Sequence, residues 1–356
     1  ASAFLMAEFL AVPYSSIVMA ALVPALLYYV ALFIQADLEA AKLGIKAVPK
    51  ENIPDARVVL RGVHFVVSFA VLIYLLFWKG YQPERAALWA GLVLIATVMV
   101  LGYRGTRPSL RVIFSSLAQT GHGVVEILLI SAASGIVIGV LNVTGLSFNL
   151  TYALVQVGGG SAVMLLFLSA LVCIILGMGL PTLGVYVLLA ALVAPALVQV
   201  GIEPIAAHLY VLYFGMMSMI TPPIAMAAFA AASIAKASAM ATGWAAMRFG
   251  WSAYVIPVLF VFSPTLILIG DPWEIALAVA TAVVGVWLVS AAIAGYFSGQ
   301  LDPLARVFFA VFGLLALMPA GMFAGAIYSD VIGLIGGALM MWNDMRRNRA
   351  IKRAGA

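Results

Sequence analysis

Gly177-Met178-Gly179-Leu180-Pro181-Thr182 and, about forty residues further on, Ser218-Met219-Ile220-Thr221-Pro222-Pro223 place helix-breaking residues and hydroxyl groups inside otherwise apolar sequence. Proline has no N–H and clashes with the preceding helical turn, and glycine supports a helix poorly. A helix in hydrocarbon must satisfy its backbone groups internally. Such a break is therefore tolerated only where the freed carbonyls and amides meet protein, water, an ion or a polar ligand. Two breaks near one another, each with a Thr hydroxyl, form the pattern of a transporter binding site. A pair of kinked helices without a ligand is the plainer reading. A single proline would favour it, whereas two Gly-Pro-Thr clusters favour the site.

The elements that must position these residues are membrane helices. The chain is 65% hydrophobic and 9% charged, with a mean hydropathy of +1.18, far outside the usage of soluble domains. A span needs about 20 apolar residues, and run after run of that length is present. The fold class is an all-α polytopic membrane protein. Cys173 is the only cysteine, which excludes an intrachain disulfide. His64, His122 and His208 are scattered, so no transition-metal site is expected. The net charge of +5 lies in loops and tail, where basic residues orient membrane proteins, and does not indicate nucleic-acid binding.

The sequence opens at Ala1 within an apolar run, Ala3-Phe4-Leu5-Met6-Ala7, and reads as a piece whose N-terminal part lies outside it. Spans are expected at 16–35 with Pro24 inside, 62–78 and 86–103, with a basic loop from 37 to 61 between the first two. Arg104, Arg107 and Arg111 gather at the next boundary. Residues 107–121 read as an interfacial amphipathic helix. Residues 124–140 and 148–157 are apolar pieces joined by Leu141-Asn142-Val143-Thr144-Gly145-Leu146-Ser147. The second is too short to cross, which suggests a re-entrant hairpin with a polar tip; an ordinary span followed by a surface turn fits equally well. Segments 161–176 and 185–200 flank the first break, and 205–219 and 224–235 flank the second. Lys236 and Arg248 bracket a loop. Further spans fall at 254–269, 273–296, 307–323 and 328–342, before a basic tail from Arg346 to Arg353. A faint echo between the Pro24 and Pro257 spans hints at an inverted repeat.

The string GMGLPT, APAL and GIEPIAAHLYVLYFGMMSMITPPIAMAAFAAASIA resembles the second half of the large membrane subunit of tripartite ATP-independent periplasmic (TRAP) transporters. The ITPP wording and the apolar extension after Pro264 look most like the fused permeases of the TAXI branch. The resemblance covers nearly the whole chain. It implies an elevator-type secondary transporter of the bacterial inner membrane that imports small organic acids. A periplasmic substrate-binding protein would deliver them, and a sodium gradient, or alternatively a proton gradient, would drive uptake. Residues 1–12 would end a first-repeat transport segment, and 13–104 would be scaffold helices with a cytoplasmic loop. Residues 105–236 would carry the second repeat's arm helix, hairpin and discontinuous helices, 237–270 a scaffold helix, and 271–356 a C-terminal extension. The first repeat's matching hairpin and a small subunit would precede Ala1.

By the same resemblance the cation site comprises Asn142, Thr144 and Gly145 at the hairpin tip, Gly177, Gly179 and Thr182 at the first break, and Ser218 and Thr221 at the second. Pro181, Pro222, Pro223 and Glu126 would shape the substrate site. The chemistry is consistent, because sodium favours oxygen ligands and an unwound turn exposes carbonyls. Half-helix N-termini at the breaks would face a substrate carboxylate. No cofactor other than the coupling ion is implied. Among ionisable residues, Glu126 and Glu8 are candidates for lining the path. Glu203 before Pro204 reads as turn chemistry, and His208 as a structural histidine.

The rival readings are an intramembrane lipid-modifying enzyme and an ion-channel subunit. The first would need a nucleophile with a base or clustered acids, and no HExxH, GxSxG or DxxxD pattern is present. The second would favour rings of charge or a carbonyl filter.

The distribution of Lys and Arg predicts that loop 37–61, the Arg104–Arg111 boundary and the tail face the cytoplasm. Cysteines placed at Lys46 and Arg349 should resist an impermeant thiol reagent in intact cells, while one at Gln82 reacts. Labelling at Lys46 from outside would reverse the orientation.

Overall fold

The structure, a computed structural model, describes residues 2–53, 55, 59–60, 62–102, 106–159, 161–319 and 325–354. The side chains of residues 50, 122, 123, 126, 127, 130, 131, 134, 137, 138, 142, 147 and 350–354 also lie outside the description. Arg57, Arg61 and Arg104 of the basic boundaries are therefore not described. Two compact units form. One comprises Ala1–Val12, Ser16–Ile45 and Ser134–Ala356, and the other Pro13–Ser15 and Lys46–Ala133.

The helices in chain order begin with α1 (Ser2–Leu10), α2 (Tyr14–Leu43), α3 (His64–Phe77), α4 (Pro83–Leu101), α5 (Leu110–Thr144) and α6 (Leu146–Val157). There follow α7 (Ala162–Gly177), α8 (Thr182–Leu192), α9 (Ala194–Gln199), α10 (Pro204–Met217) and α11 (Met226–Ala235). The last are α12 (Ala239–Phe249), α13 (Ser252–Phe262), α14 (Pro272–Ala294), α15 (Pro303–Leu317) and α16 (Ala326–Ala354). Among the described residues there is no strand; Tyr296 and Gln300 form an isolated bridge. Five stretches are long and apolar enough to cross a membrane: Tyr14–Leu43, Pro83–Leu101, Thr182–Gln199, Ala239–Phe262 and Pro272–Ala294. With the shorter apolar helices, this is the polytopic all-α class that composition required.

Sequence chemistry sets many of the boundaries. Glu203, Asp271 and Asp302 are N-caps whose carboxylates accept the Ala206, Trp273 and Ala305 amides at 3.0, 2.9 and 2.7 Å, each followed by Pro at the first helical position. The amide of Ala305 and the Arg347 guanidinium, 3.0 Å away, together hold the Asp302 carboxyl below its ordinary range. Glu203 thus does the turn chemistry its place before Pro204 suggested.

Three local expectations change. Residues 107–121 are not a separate amphipathic helix, because α5 runs unbroken from Leu110 to Thr144. The polar connector 141–147 narrows to a single turn residue. It is helical to Thr144, and Gly145 alone turns the chain, with φ +66° in the left-handed region that glycine enters without strain. Thr144 extends the helix by donating its hydroxyl to Val140 O at 2.8 Å. The segment between Lys236 and Arg248 is helix α12, capped by the Ser238 hydroxyl, rather than a loop. Its alanine-rich sequence has high helix propensity, which outweighs the polar residues at its ends.

In the smaller unit α3 packs along α4. In the larger unit α10 is central, against α7, α8 and α13, while α1 lies on α8 and α10. Downstream, α14, α15 and α16 form a three-helix bundle. Leu288 of α14 and Phe309 of α15, both fully buried, anchor its core, and Leu38 of α2 joins the same cluster. Lys42 caps the end of α14 by donating to Ala294 O at 2.6 Å. Small residues let the bundle helices approach: a Cβ at Gly285 would sit 2.7 Å from Gly313 O.

Gly285→Val should therefore destabilise the protein by about 1–3 kcal/mol through overpacking. Gly91→Ala on α4, where a Cβ meets nothing within 4 Å, should be neutral or gain up to about 1 kcal/mol. Thermal unfolding of the detergent-solubilised chain reads both. An unchanged Tm for Gly285→Val would contradict the close α14–α15 approach.

Candidate functional site: two joined helix breaks

Both breaks are real interruptions, and they meet. Helix α7 ends at Gly177 and α8 starts at Thr182, while α10 ends at Met217 and α11 starts at Met226. The prolines explain why. Pro181 stands four residues after Gly177 and cannot donate to its carbonyl. Ser218 of the other break answers it with a shared donor, its buried hydroxyl dividing one hydrogen between Gly177 O at 2.9 Å and Gly215 O at 2.6 Å. Pro222 and Pro223 stand four residues after Ser218 and Met219, so those carbonyls lose their helical donors as well. Met219 O recovers one from the Ala227 amide at 3.0 Å. The carbonyl of Ser218 keeps no helical donor and is one of the backbone acceptors that the second break releases.

Glycine makes the junction possible. A Cβ at Gly177 would lie 2.5 Å from Gly215 O, inside any acceptable contact, and a tight 3.0 Å from Ser218 Oγ. Gly179 has a different role: nothing lies within 4 Å of its Cβ position, but its φ of +79° suits glycine. At the opening of α8 the amides of the first turn have no helical acceptor, so they and the helix dipole present a positive end to the break.

The second break is buttressed by helix α12 and the residues that follow it. Pro222 packs 3.0 Å from the Cβ position of Gly243 on α12, and Ile220 packs 2.9 Å from that of Gly250. Thr221 donates to Met217 O at 2.5 Å and lies 2.7 Å from the Tyr254 hydroxyl of α13. With the Thr221 hydrogen committed to Met217, Tyr254 is the donor of the second bond. Gly215, Gly243, Gly250 and Tyr254 were all missed from sequence. The available signal was the recurrence of small residues facing the breaks, which alanine-rich helices imitate.

The other expected residues fall as follows. Thr182 is exposed at the head of α8, and its carbonyl accepts the Ser2 hydroxyl of α1 at 3.4 Å. Pro181 and Pro223 are exposed beside the breaks, and the Pro222–Pro223 peptide is cis. Thr144 and Gly145 form the α5–α6 turn, where the Thr144 hydroxyl is bonded within its own helix rather than to either break. The side chains of Asn142 and Glu126 lie outside the described residues. Glu8 is exposed on α1. His208 pairs through Nδ1 with the Tyr186 hydroxyl at 2.8 Å between α8 and α10, a satisfied structural contact.

Between α7, α10 and α13 lies a cavity of about 400 Å³ lined by Leu166, Phe167, Leu171, Phe214, Tyr210 and Tyr254 among others. Its walls are almost wholly apolar, and the Tyr210 hydroxyl is committed to Leu166 O at 2.6 Å. The cavity does not suit a carboxylate.

Removing the donor at the junction should be costlier than removing the one at its edge. Ser218→Ala strips Gly177 O of a buried partner and should cost about 1–3 kcal/mol. Tyr254→Phe leaves Thr221 bonded to Met217 and should cost about 0.5–1.5 kcal/mol. Thermal unfolding of the two variants tests the order, and equal losses would argue against a shared junction.

Residues 1–270, which include both breaks and their buttress, match the family described as "Tripartite ATP-independent periplasmic transporter, DctM component". Neither the curated proteins nor the solved structures yielded a significant match. The match spans more than half of the chain and coincides with the residues whose wording carried the resemblance. The chain belongs to the DctM family, the large permease component of TRAP secondary transporters.

Proposed function

We propose that this permease imports small organic acids handed over by a periplasmic binding protein, driven by a sodium gradient through an elevator movement of the unit that carries the breaks. The observation that carries the reading is the junction of two interrupted helices through Ser218 and Gly177 inside the family-matched region. Elevator transport needs a binding site that moves as one body, and a hydrogen bond between the two breaks holds the site's halves in fixed register.

The oxygens released at the breaks suit a hard monovalent cation. The Ser218 carbonyl has lost its helical donor, the Thr182 hydroxyl is exposed, and Thr221 keeps a lone pair after its two hydrogen bonds. Neutral oxygens favour sodium over a proton, which would call for a titratable group at the junction. The first-turn amides of α8 suit the carboxylate of the substrate. Asn142, Thr144 and Gly145 would close over the site from the α5–α6 turn. A membrane-embedded small subunit or an N-terminal segment would complete the assembly. The apolar helices after residue 270 support placement in the TAXI branch, and the basic tail supports a cytoplasmic C-terminus in the bacterial inner membrane.

Uptake into proteoliposomes with the complete transporter and its binding protein, under separate sodium and pH gradients, tests this reading. Thr182→Ala should weaken the cation by about 1–3 kcal/mol, roughly a five- to hundredfold rise in the sodium required. Substrate affinity at saturating sodium should largely recover, because linked sites share only a coupling energy. Unchanged sodium dependence in both Thr182→Ala and Thr221→Ala would remove the breaks from the cation site.

A further inference from the structure

The bundle α14–α15–α16 lies beyond the family-matched residues, and it buries one carboxylate that no described residue of the bundle satisfies. Asp330 is 2% exposed, and both of its side-chain oxygens are buried without a hydrogen-bond partner among the described residues. It sits in the second turn of α16, past the free amides of the helix start.

The helix register shows where it points. Gly333 and Gly337 follow Asp330 at spacings of three and seven, so the three residues share one face. That face is the packed one: the Cβ position of Gly333 lies 2.5 Å from Ala316 N and 2.8 Å from Phe312 O of α15, and that of Gly337 meets the Leu288 side chain of α14. Helix α15 runs antiparallel to both neighbours, since Gly285 meets Leu317 while Gly313 meets Val289, and Gly333 meets Ala316 while Gly336 meets the Phe312 ring. Helices α14 and α16 therefore run parallel. Seven residues back from the Leu288–Gly337 contact puts Asp330 level with Thr281, which is itself 2% exposed.

The polar neighbours are committed elsewhere. The Thr281 hydroxyl donates to Ala278 O at 3.2 Å and the Ser329 hydroxyl to Ala326 O at 2.6 Å, each within its own helix. Ionisable residues on the packed elements lie away from this level. Glu274 is exposed in the first turn of α14, and Arg306, at the far end of α15, donates to Ala292 O and Ile293 O. On α16 itself Tyr328 is 72% exposed, and Asp344 is bonded to Ser298 at the opposite end. The segment 318–325 that connects α15 to α16 reads Met-Pro-Ala-Gly-Met-Phe-Ala-Gly and has no ionisable side chain to offer.

An isolated carboxylate in such a setting is very costly, and the group either neutralises itself or recruits a cation. A hard metal cation would need several oxygen ligands converging on it. Here the carboxylate stands among apolar groups and two hydroxyls already used as donors. We infer that Asp330 is a proton-binding site of the C-terminal bundle, taking up H⁺ to become a neutral carboxylic acid and giving it up only when the packing around it loosens. The site stands on the bundle's own geometry and not on the transport reading above.

The sign of the linkage follows. The folded bundle accommodates the acid more readily than the anion, whereas the unfolded chain accepts the anion freely. Stability should thus be greatest at low pH and fall as pH rises. Thermal unfolding of the full chain in detergent, from about pH 5 to about pH 8, should show Tm declining by a few degrees more in the wild type than in Asp330→Asn. Infrared difference spectra over the same range should contain a protonated-carboxyl C=O band that Asp330→Asn lacks, a readout that the wild type alone supplies if the variant folds poorly. Equal pH profiles with no such band would overturn the proposal. A wild-type Tm that rises with sodium at fixed pH, lost in Asp330→Asn, would overturn it in favour of a metal cation.

Discussion

The hydrogen bond from Ser218 to the carbonyl of Gly177 is the contact on which the family-matched part of this structure turns. Prolines create the need for it. A chain that places Pro181 four residues after Gly177 has chosen to leave a carbonyl without a helical donor inside an apolar layer, where an unmet acceptor is expensive. The donor comes from a helix terminus distant in sequence, so satisfying one break fixes the position of the other. Gly177 and Gly215 then act by what they lack. Any side chain at 177 would strike the backbone of α10, and one at 215 would strike Val185 and Leu189 of α8. Three helices are drawn to one point by a single hydroxyl and two missing methyl groups.

The same logic extends outward in weaker steps. Thr221 is held between its own helix and Tyr254, and the Pro222 ring and the Ile220 side chain rest against glycines at 243 and 250. These contacts tie the second break to α12 and α13 without filling it. The released groups, the carbonyl of Ser218 and the first-turn amides of α8 among them, stay oriented rather than collapsed. On the proposed reading an ion or an anionic ligand would find groups already placed, which lowers the ordering cost of binding.

The C-terminal bundle is built by the other means available in lipid, close packing of small residues. Gly285, Gly313 and Gly333 allow backbone to meet backbone across α14, α15 and α16, where hydrophobic burial offers little because the surroundings are equally apolar. Within that tight packing the buried Asp330 is the exception that calls for a chemical explanation, as the paired prolines do upstream.

The class, the break positions and several helix starts follow from local chemistry alone. Mean hydropathy forces membrane helices, proline and glycine chemistry forces interruptions near residues 178–181 and 218–225, and N-caps at Glu203, Asp271 and Asp302 set boundaries that need no tertiary partner. These are local effects, decided by each residue and its neighbours within a turn. Tertiary structure decided the rest. That Ser218 answers Gly177, that Tyr254 holds Thr221, and that Asp330 points into a bundle depend on which helix faces lie together. In a chain this uniformly apolar the faces carry little amphipathic signal to read. The helical ends of the connector at 141–147 and helix α12 are not legible in sequence for the related reason that polar residues at a helix end look like loop until their hydroxyls are seen bonding back into the helix, as Thr144 and Ser238 do.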